Sequence, residues 1–370
     1  MKIKLLIIFL IAHSCLFSQK LPQNFYEHYT GLISDELKIT ADLVKTGNSF
    51  SGFYCYEYHE EGLWISSNPI ALDGQVQADG SFVLNEFGQN SSHFKGILSN
   101  SKLITGTWVN SALNEEIDFT LKATYAQGTI NLNVVKSSDI YYFENNKTQP
   151  TAHFNLELLF PSYSLNQPVY KQLVSKIYHY IGYRGEPQPQ KSIVRELSEK
   201  FNQQFQNALE NIKIDSFPIG FDWTKSIRMD VINNEGGIVC LQFHTYARSG
   251  DKSGSNVKKF LVFDVKANKV LQLNDLIAEE KKAELDVLID EQIRKIYQIK
   301  DTEMLKQHGF FEDSVKTTQN FYIHTGGLGF YYNVYEIAPL SNGPTNLFIT
   351  WADLKRKNIV LNIPTIASQK

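Results

Sequence analysis

From about His28 to Thr124 apolar and polar residues alternate: Leu37, Ile39, Ala41 and Leu43; Ile70, Leu72 and Val76; Phe82 and Leu84; Ile104 and Trp108; Ile117, Phe119 and Leu121. A period of two predicts half-buried strands, because successive side chains of a strand point to opposite faces. Turn residues punctuate the runs at Gly47-Asn48, Asp73-Gly74, Asp79-Gly80, Asn100-Ser101 and Ser111 to Asn114. About eight strands at a spacing of roughly 8 to 12 residues predict a meander over residues 19–124 that curls into a barrel or packs as a sandwich. Residues 125–150 lose the alternation and gather Ser, Asp, Asn and Lys, which suits a linker or an edge element.

Beyond residue 150 the period lengthens. "HFNLELLFPSYSL" is strand-like, and Asn166 with Pro168 opens a helix whose Leu173, Ile177 and Ile181 share a face. A second helix follows Pro189, with Ile193, Leu197, Phe201, Phe205, Leu209 and Ile212 at helical steps, and Pro218 ends it. Strands are predicted at Ile227 to Ile232, Ile238 to Ala247, Phe260 to Val265 and Val270 to Leu273. Asn274 or Asp275 is expected to cap a third long helix carrying Leu285, Leu288, Ile289, Gln292, Ile296 and Ile299. Phe321 to His324, Gly329 to Asn333 and Leu347 to Trp351 close the chain as strands. Antiparallel-type strands with segregated helices predict an α+β region with three long helices, divided into residues 151–253 and 254–370.

Composition changes this picture little. The 370 residues are 42% hydrophobic and 20% charged, with 19 Tyr and 24 Phe, as suits a strand-rich globular protein of two or three domains. A net charge of −3 without basic blocks argues against nucleic acid as a partner. "MKIKLLIIFLIAHSCLFSQK" has two lysines, a short apolar run and small residues, the pattern of a secretory signal peptide over residues 1–18. The expectation is export to the periplasm or beyond, with no transmembrane segment; lipidation of Cys15 is the alternative anchor. Cys55 and Cys240 then remain, as two buried thiols or as one disulfide.

Catalytic motifs are sparse. "HEEG" at residues 59–62 lacks the second His of a helical zinc site, "SGDKSGS" is not a nucleophile elbow, and Gly326, Gly327 and Gly329 lie between strands. Neither a metal site nor a cofactor is predicted, and no catalytic residue is assigned. His244 and His324 sit in predicted strands, where either becomes a general base if Asp222 or Glu336 reaches it.

Aromatic residues supply the candidate binding surfaces. In "GFYCYEYHEEG", Tyr54, Tyr56 and Tyr58 lie on one side of a strand and Phe53 and Cys55 on the other, so one face is open to a ligand or both are covered. "ITGTW" places Trp108 at a barrel end. In "GFYYNVYEIAPLSNGPTNLFITWADLK", Leu328, Phe330 and Tyr332 are expected to face the core, and Tyr331 and Asn333 the other side. Glu336 sits in an apolar stretch, where burial would raise its pKa unless it accepts hydrogen bonds.

The runs "KKFLVFDVKANKVLQLNDLI" and "NFYIHTGGLGFYYNVYEIAPLSNGPTNLFITWADLK" resemble the C-terminal domain of RsiV-like proteins, whose founding member is a membrane-anchored anti-sigma factor that binds lysozyme outside the cell. Phe330, Tyr331, Tyr332, Tyr335, Glu336, Ile337, Ala338, Pro339, Gly343 and Pro344 carry the likeness, supported by Asp264, Leu271, Leu273, Asp275 and Leu276. The preceding "FNLELLFPSYS" and its two helices are similar to the domain at the front of PdaC-type peptidoglycan deacetylases. Two departures stand out: "SGDKSGSN" replaces a Gly-Gly-Ala-His type turn, and the motifs of a deacetylase catalytic domain are missing.

The resemblance implies an exported, non-enzymatic binding protein of the bacterial envelope, with a cell-wall glycan or a lysozyme-like protein as partner. Tyr331, Tyr332, Tyr335 and Glu336 are the implied contacts; Tyr54, Tyr56 and Trp108 of the barrel, outside the resemblance, are candidate contacts on their own aromatic pattern. An envelope polysaccharide hydrolase, deacetylase or accessory protein is the second reading. A barrel that carries a small apolar ligand between Tyr54, Tyr56, Trp64 and Trp108 is the third.

Overall fold

The computed structural model describes residues 21–34, 37–60, 63–87, 92–143, 150–210, 221–250 and 253–361. The expected leader, Ile212 to Pro218 and the side chain of Trp64 lie outside the described residues. Strands β1 (Asn24–Ile33), β2 (Leu37–Thr46), β3 (Ser49–Glu60), β4 (Leu63–Ser66), β5 (Ile70–Val76), β6 (Ser81–Glu86), β7 (Ser92–Asn100), β8 (Leu103–Asn110) and β9 (Glu115–Ala123) form the first sheet. Their order is β2-β1-β9-β8-β7-β6-β5-β3, and pairing of β2 with β3 closes it into an eight-stranded antiparallel barrel, with β4 appended to β3. Closure removes the edges along which an open sheet aggregates.

The alternating residues read from sequence fill the barrel: Ile39, Ala41, Leu43, Leu72, Phe82, Leu84, Ile104, Phe119 and Leu121 are all buried. Phe94 packs edge-to-face on Tyr54 and on Phe119, both at 5.1 Å. The space left inside is about 10 Å³, room for about one water. A carrier needs a void of its ligand's size, roughly 300 Å³ or more, so the carrier reading falls. Asp73-Gly74 is not a turn but lies within β5. There a Cβ on Gly74 would sit 1.8 Å from the Val83 carbonyl oxygen, so the glycine serves a close strand crossing.

The second sheet has the order β10 (Leu132–Tyr142), β11 (Thr151–Pro161), β12 (Trp223–Glu235), β13 (Ile238–Arg248), β14 (Ser255–Asp264), β15 (Lys269–Val270). The stretch read as linker or edge element therefore contains the edge strand β10. The boundary placed at 253/254 falls in the β13–β14 hairpin, so one sheet runs through both regions. All pairings are antiparallel except β11 with β12, because α1 (Gln167–Tyr180) and α2 (Gln190–Leu209) form the crossover that a parallel pair requires. Leu173 and Ile177 of α1 and Ile193, Phe201 and Phe205 of α2 bury against Phe154, Leu156 and Leu158 of β11. Gly182, at φ +88°, turns the chain out of α1.

The third layer contains α3 (Leu273–Leu276), α4 (Lys282–Tyr297), β16 (Phe321–His324), β17 (Gly327–Tyr332), β18 (Thr345–Thr350) and α5 (Trp351–Arg356). Asp275 does not cap the long helix. It lies in the four-residue α3, where its carboxylate accepts the Gln272 N–H at 2.8 Å, and α4 begins only at Lys282. Ile299 lies past the end of α4, and Trp351 opens α5 rather than ending a strand. The hairpin at Leu328 to Asn333 is buried on both faces, since β17 is the central strand and its second face meets Phe260 of β14. Cys55 and Cys240 are buried and free.

A buried polar cluster joins the barrel to the second sheet. The Tyr26 hydroxyl donates to Asp42 Oδ1 at 2.6 Å, and Asn234 Nδ2 donates to Tyr26 Oη at 2.8 Å. His28 bridges two acids, with Nδ1 2.9 Å from Asp42 and Nε2 3.2 Å from Glu235. Burial by itself would lower the His28 pKa, but the charges and hydrogen bonds of Asp42 and Glu235 outweigh it and raise the value to about 10.

Candidate functional site

The register of β12, β13 and β14 sets side chains of one sheet face into rows. Ile227, Met229, Leu241, Phe243 and Leu261 point to the α1–α2 side, so their neighbours point away from it. Arg228 pairs with His244, and His244 with Lys258, placing three basic residues side by side across three strands. The adjoining row is Asp230, Gln242 and Phe260, and the row beyond on the other flank is Ser226, Tyr246 and Asn256. Directly opposed Cβ atoms lie roughly 5 Å apart, so the three basic groups act on one volume.

Asp230 is almost fully buried (1% exposed) beside this row. Its Oδ2 accepts from Arg228 Nε at 3.2 Å and from Gln242 Nε2 at 3.1 Å, whereas Oδ1 is buried without a hydrogen-bond partner. An unpaired buried carboxylate oxygen is costly and calls for an explanation. Burial lowers the His244 imidazole below its ordinary value, with Lys258 and Arg228 adding to the effect and the Asn256 hydrogen bond opposing it. Burial likewise lowers the Lys258 ammonium, against the pull of Asp230.

Three layers meet here. From the barrel, Asp73 of β5 reaches Arg228 Nη1 at 3.5 Å. From the third layer, the Tyr331 ring centroid lies 5.5 Å from Lys258 Nζ, a cation–π contact. Asparagines fasten β14 to that layer along an edge that β15 does not cover. The Lys258 N–H donates to Asn333 Oδ1 at 2.8 Å, and its carbonyl accepts from Asn333 Nδ2 and Asn320 Nδ2. Asn333 is held in turn by Glu336, whose Oε2 accepts the Asn333 N–H at 2.9 Å.

The predicted site residues are thus dispersed. Tyr331 reaches the basic row but is buried, and its hydroxyl is pushed up to about 12 by burial and by Glu336. Tyr332 enters the core and donates to the Lys316 carbonyl. Tyr335 is 64% exposed at φ +67°, in the turn that Glu336 closes. Glu336 is exposed rather than buried, and fastens that corner. Tyr54 lies inside the barrel, where its hydroxyl and Trp108 Nε1 both donate to Glu86, and Tyr56 is half-buried beside Tyr58.

Neither predicted general-base pair forms. His244 faces Arg228, Lys258 and Asp230, while Asp222 is engaged with Thr151. His324 is buried, and burial pushes it down to about 4. Among the described residues no group of three or more His, Cys, Asp and Glu could hold a metal ion. The row itself escaped sequence reading. Arg228, Asp230, Gln242 and His244 alternate with apolar residues as the solvent face of any strand would, and only the register brings Lys258 beside them.

The profile of the family described as "Protein of unknown function (DUF3298)" matches residues 274–352, so this stretch is a DUF3298 domain. The domain holds Tyr331, Asn333 and Glu336, while the basic row lies just before it. A crystal structure of a DUF3298 family member from Bacteroides fragilis is similar in fold, at TM-score 0.58 and 20% identity over 66% of this chain and 99% of that one. Another from Pseudomonas aeruginosa PAO1 matches at TM-score 0.46 and 17% identity over 64% of this chain and 96% of that one. No curated protein sequence matches the chain.

Proposed function

We propose that this is an exported, non-enzymatic binding protein of the bacterial envelope, acting in the periplasm or outside the cell, with a cell-wall glycan or a lysozyme-like protein as its ligand. The observation that carries the reading is the Arg228–His244–Lys258 row, a preorganised polar surface between the barrel, the second sheet and the DUF3298 domain. Binding sites of this kind combine an apolar surround with a few fixed polar groups. The leader-like first 18 residues and the likeness to RsiV-type domains support export and the choice of ligand. Burial pushes the thiols of Cys55 and Cys240 up to about 12, far from the thiolate that nucleophilic catalysis uses.

Calorimetric titration of the chain lacking residues 1–18 with a c-type lysozyme, and then with soluble peptidoglycan fragments, tests the proposal. Saturable heat with either partner, weakened in Arg228→Gln protein that stays folded, is the expected result. Silence with both partners refutes it.

A further inference from the structure

Most sheet edges of the molecule are closed. In the barrel, β2 pairs with β3. Along β14 the outer edge is taken up piece by piece: the Leu271 N–H donates to the Val262 carbonyl, the Phe260 N–H to Asn320 Oδ1 and the Lys258 N–H to Asn333 Oδ1. Strand β10, at the other edge of the second sheet, is treated differently. It has 11 residues, against 6 in β18 at the edge of the third sheet. Neither a proline nor a bulge interrupts it, and its one lysine is turned to Glu157, so the usual devices that blunt an edge are missing.

The ladder shows which groups of β10 are free. The Ser162 N–H donates to the Asn131 carbonyl at 2.8 Å, so odd-numbered residues face β11, and Leu132 accordingly stands opposite Pro161, which has no N–H to give. Even-numbered residues therefore turn both N–H and C=O outward. Gln206 Nε2 caps the outward Tyr142 carbonyl at 3.0 Å, but no described residue bonds the outward backbone of Lys136, Ser138 or Ile140. The barrel covers only the start of the strand, where Leu132 is buried in one cluster with Tyr26 and Val44. Lys136, Ser138, Ile140 and Tyr142 are all exposed, with Ile140 at 51%. Paired donors and acceptors repeating every second residue, roughly 7 Å apart, match one kind of ligand, an extended polypeptide.

We propose that the polypeptide is β10 of a second copy of this chain, paired antiparallel about a two-fold axis at Ser138. The sequence "VVKSSDIYY", Val134 to Tyr142, complements itself about that residue. Val134 meets Tyr142 of the second copy, Val135 meets Tyr141, Lys136 meets Ile140 and Ser137 meets Asp139. Valine with tyrosine is a favourable cross-strand pair, and no like charges stand opposite each other. Neighbouring registers lack this fit: one centred on Asp139 sets that carboxylate against its own copy, and one centred on Ser137 sets Val135 against Asp139. Lys136, Ser138 and Ile140 exchange their free backbone bonds with the second copy, and two six-stranded sheets become one. The axis is perpendicular to the sheet, so both Arg228–His244–Lys258 rows look to the same side, where two sites engage one repeating partner. The pairing does not depend on what that partner is.

Sedimentation of the chain lacking residues 1–18, from micromolar to near-millimolar concentration, is expected to show a monomer–dimer equilibrium. Ser138→Pro removes an N–H that points away from β11, so the internal ladder keeps its bonds while the dimer loses the pair at its axis and weakens by at least about tenfold. A cysteine trap gives a second readout that does not rely on the proline. Across the axis the two Ser138 Cα atoms stand about 5.5 Å apart, within reach of a disulfide, whereas the two Ile140 Cα atoms stand about 14 Å apart. Ser138→Cys is therefore expected to cross-link under mild oxidation and Ile140→Cys is not, with Cys55 and Cys240 buried and out of competition. A chain that stays monomeric throughout overturns the inference and leaves the edge to a strand of another protein. So does a dimer that folded Ser138→Pro protein retains at full strength, or one that cross-links at 140 and not at 138.

Discussion

Replacing His28 with glutamine is expected to destabilise the protein by an amount that shrinks as pH rises. The imidazole bridges Asp42 and Glu235 at 2.9 and 3.2 Å and titrates in the fold at about 10, against 6.5 in an unfolded chain. A raised folded-state pKa contributes stability that is fully present below the unfolded value and lost as pH climbs through the folded one. Integrated between these two values, the contribution is on the order of 4–5 kcal/mol near pH 6 and falls to about 1 kcal/mol near pH 9.5. The figure near pH 6 agrees with the roughly 3–5 kcal/mol seen when one partner of a buried ion pair is removed. Urea unfolding of both proteins at pH 6, 8 and 9.5 and fixed ionic strength measures the difference, which cancels every group the two share. A difference that stays constant across this range would falsify the argument, because it would mean that His28 is neutral in the fold.

Three further substitutions test the packing that positions the site. Gly329→Ala places a methyl group about 1.8 Å from the Tyr322 ring, which stacks on Phe348, so thermal unfolding should report a loss on the order of 1–3 kcal/mol. Tyr54→Phe removes one of two donors from Glu86 and should cost about 1.5 kcal/mol in urea titration, with the barrel otherwise intact. Asn333→Ala frees the β14 edge at Lys258 and the turn closed by Glu336. Amide exchange at Lys258 should quicken there while the α1–α2 core keeps its protection, and unchanged exchange would show that the Asn333 side chain does not protect that amide.

The barrel was legible because its signal is local. Alternation at Ile39, Ala41 and Leu43, or at Phe119 and Leu121, records which face each residue buries, whatever strand lies beside it. The amphipathic faces of α1 and α2 were legible for the same reason, since helical spacing alone put Ile193, Phe201 and Phe205 together. Helix starts were less so: a carboxylate at Asp275 serves a short helix as well as a long one, and the choice depends on how the chain packs afterwards. Asp73-Gly74 looked like a turn because the reason for that glycine, a neighbouring strand at Val83, is not adjacent in sequence.

Local sequence therefore specified the periods, the faces and the tyrosine-rich strand, which falls within the DUF3298 domain at residues 274–352. It did not specify which of those tyrosines stay exposed. Tyr331 and Tyr332 are buried because β17 lies between two strands and under β14, whereas Tyr335 projects because the turn after β17 has no layer over it. Nor did it specify the candidate site. Arg228, His244 and Lys258 meet only through the register of three strands, and His28 meets Glu235 only where the barrel docks on the second sheet. Side-chain period is a property of one strand, but proximity across strands is a property of their pairing, and only the folded chain decides it.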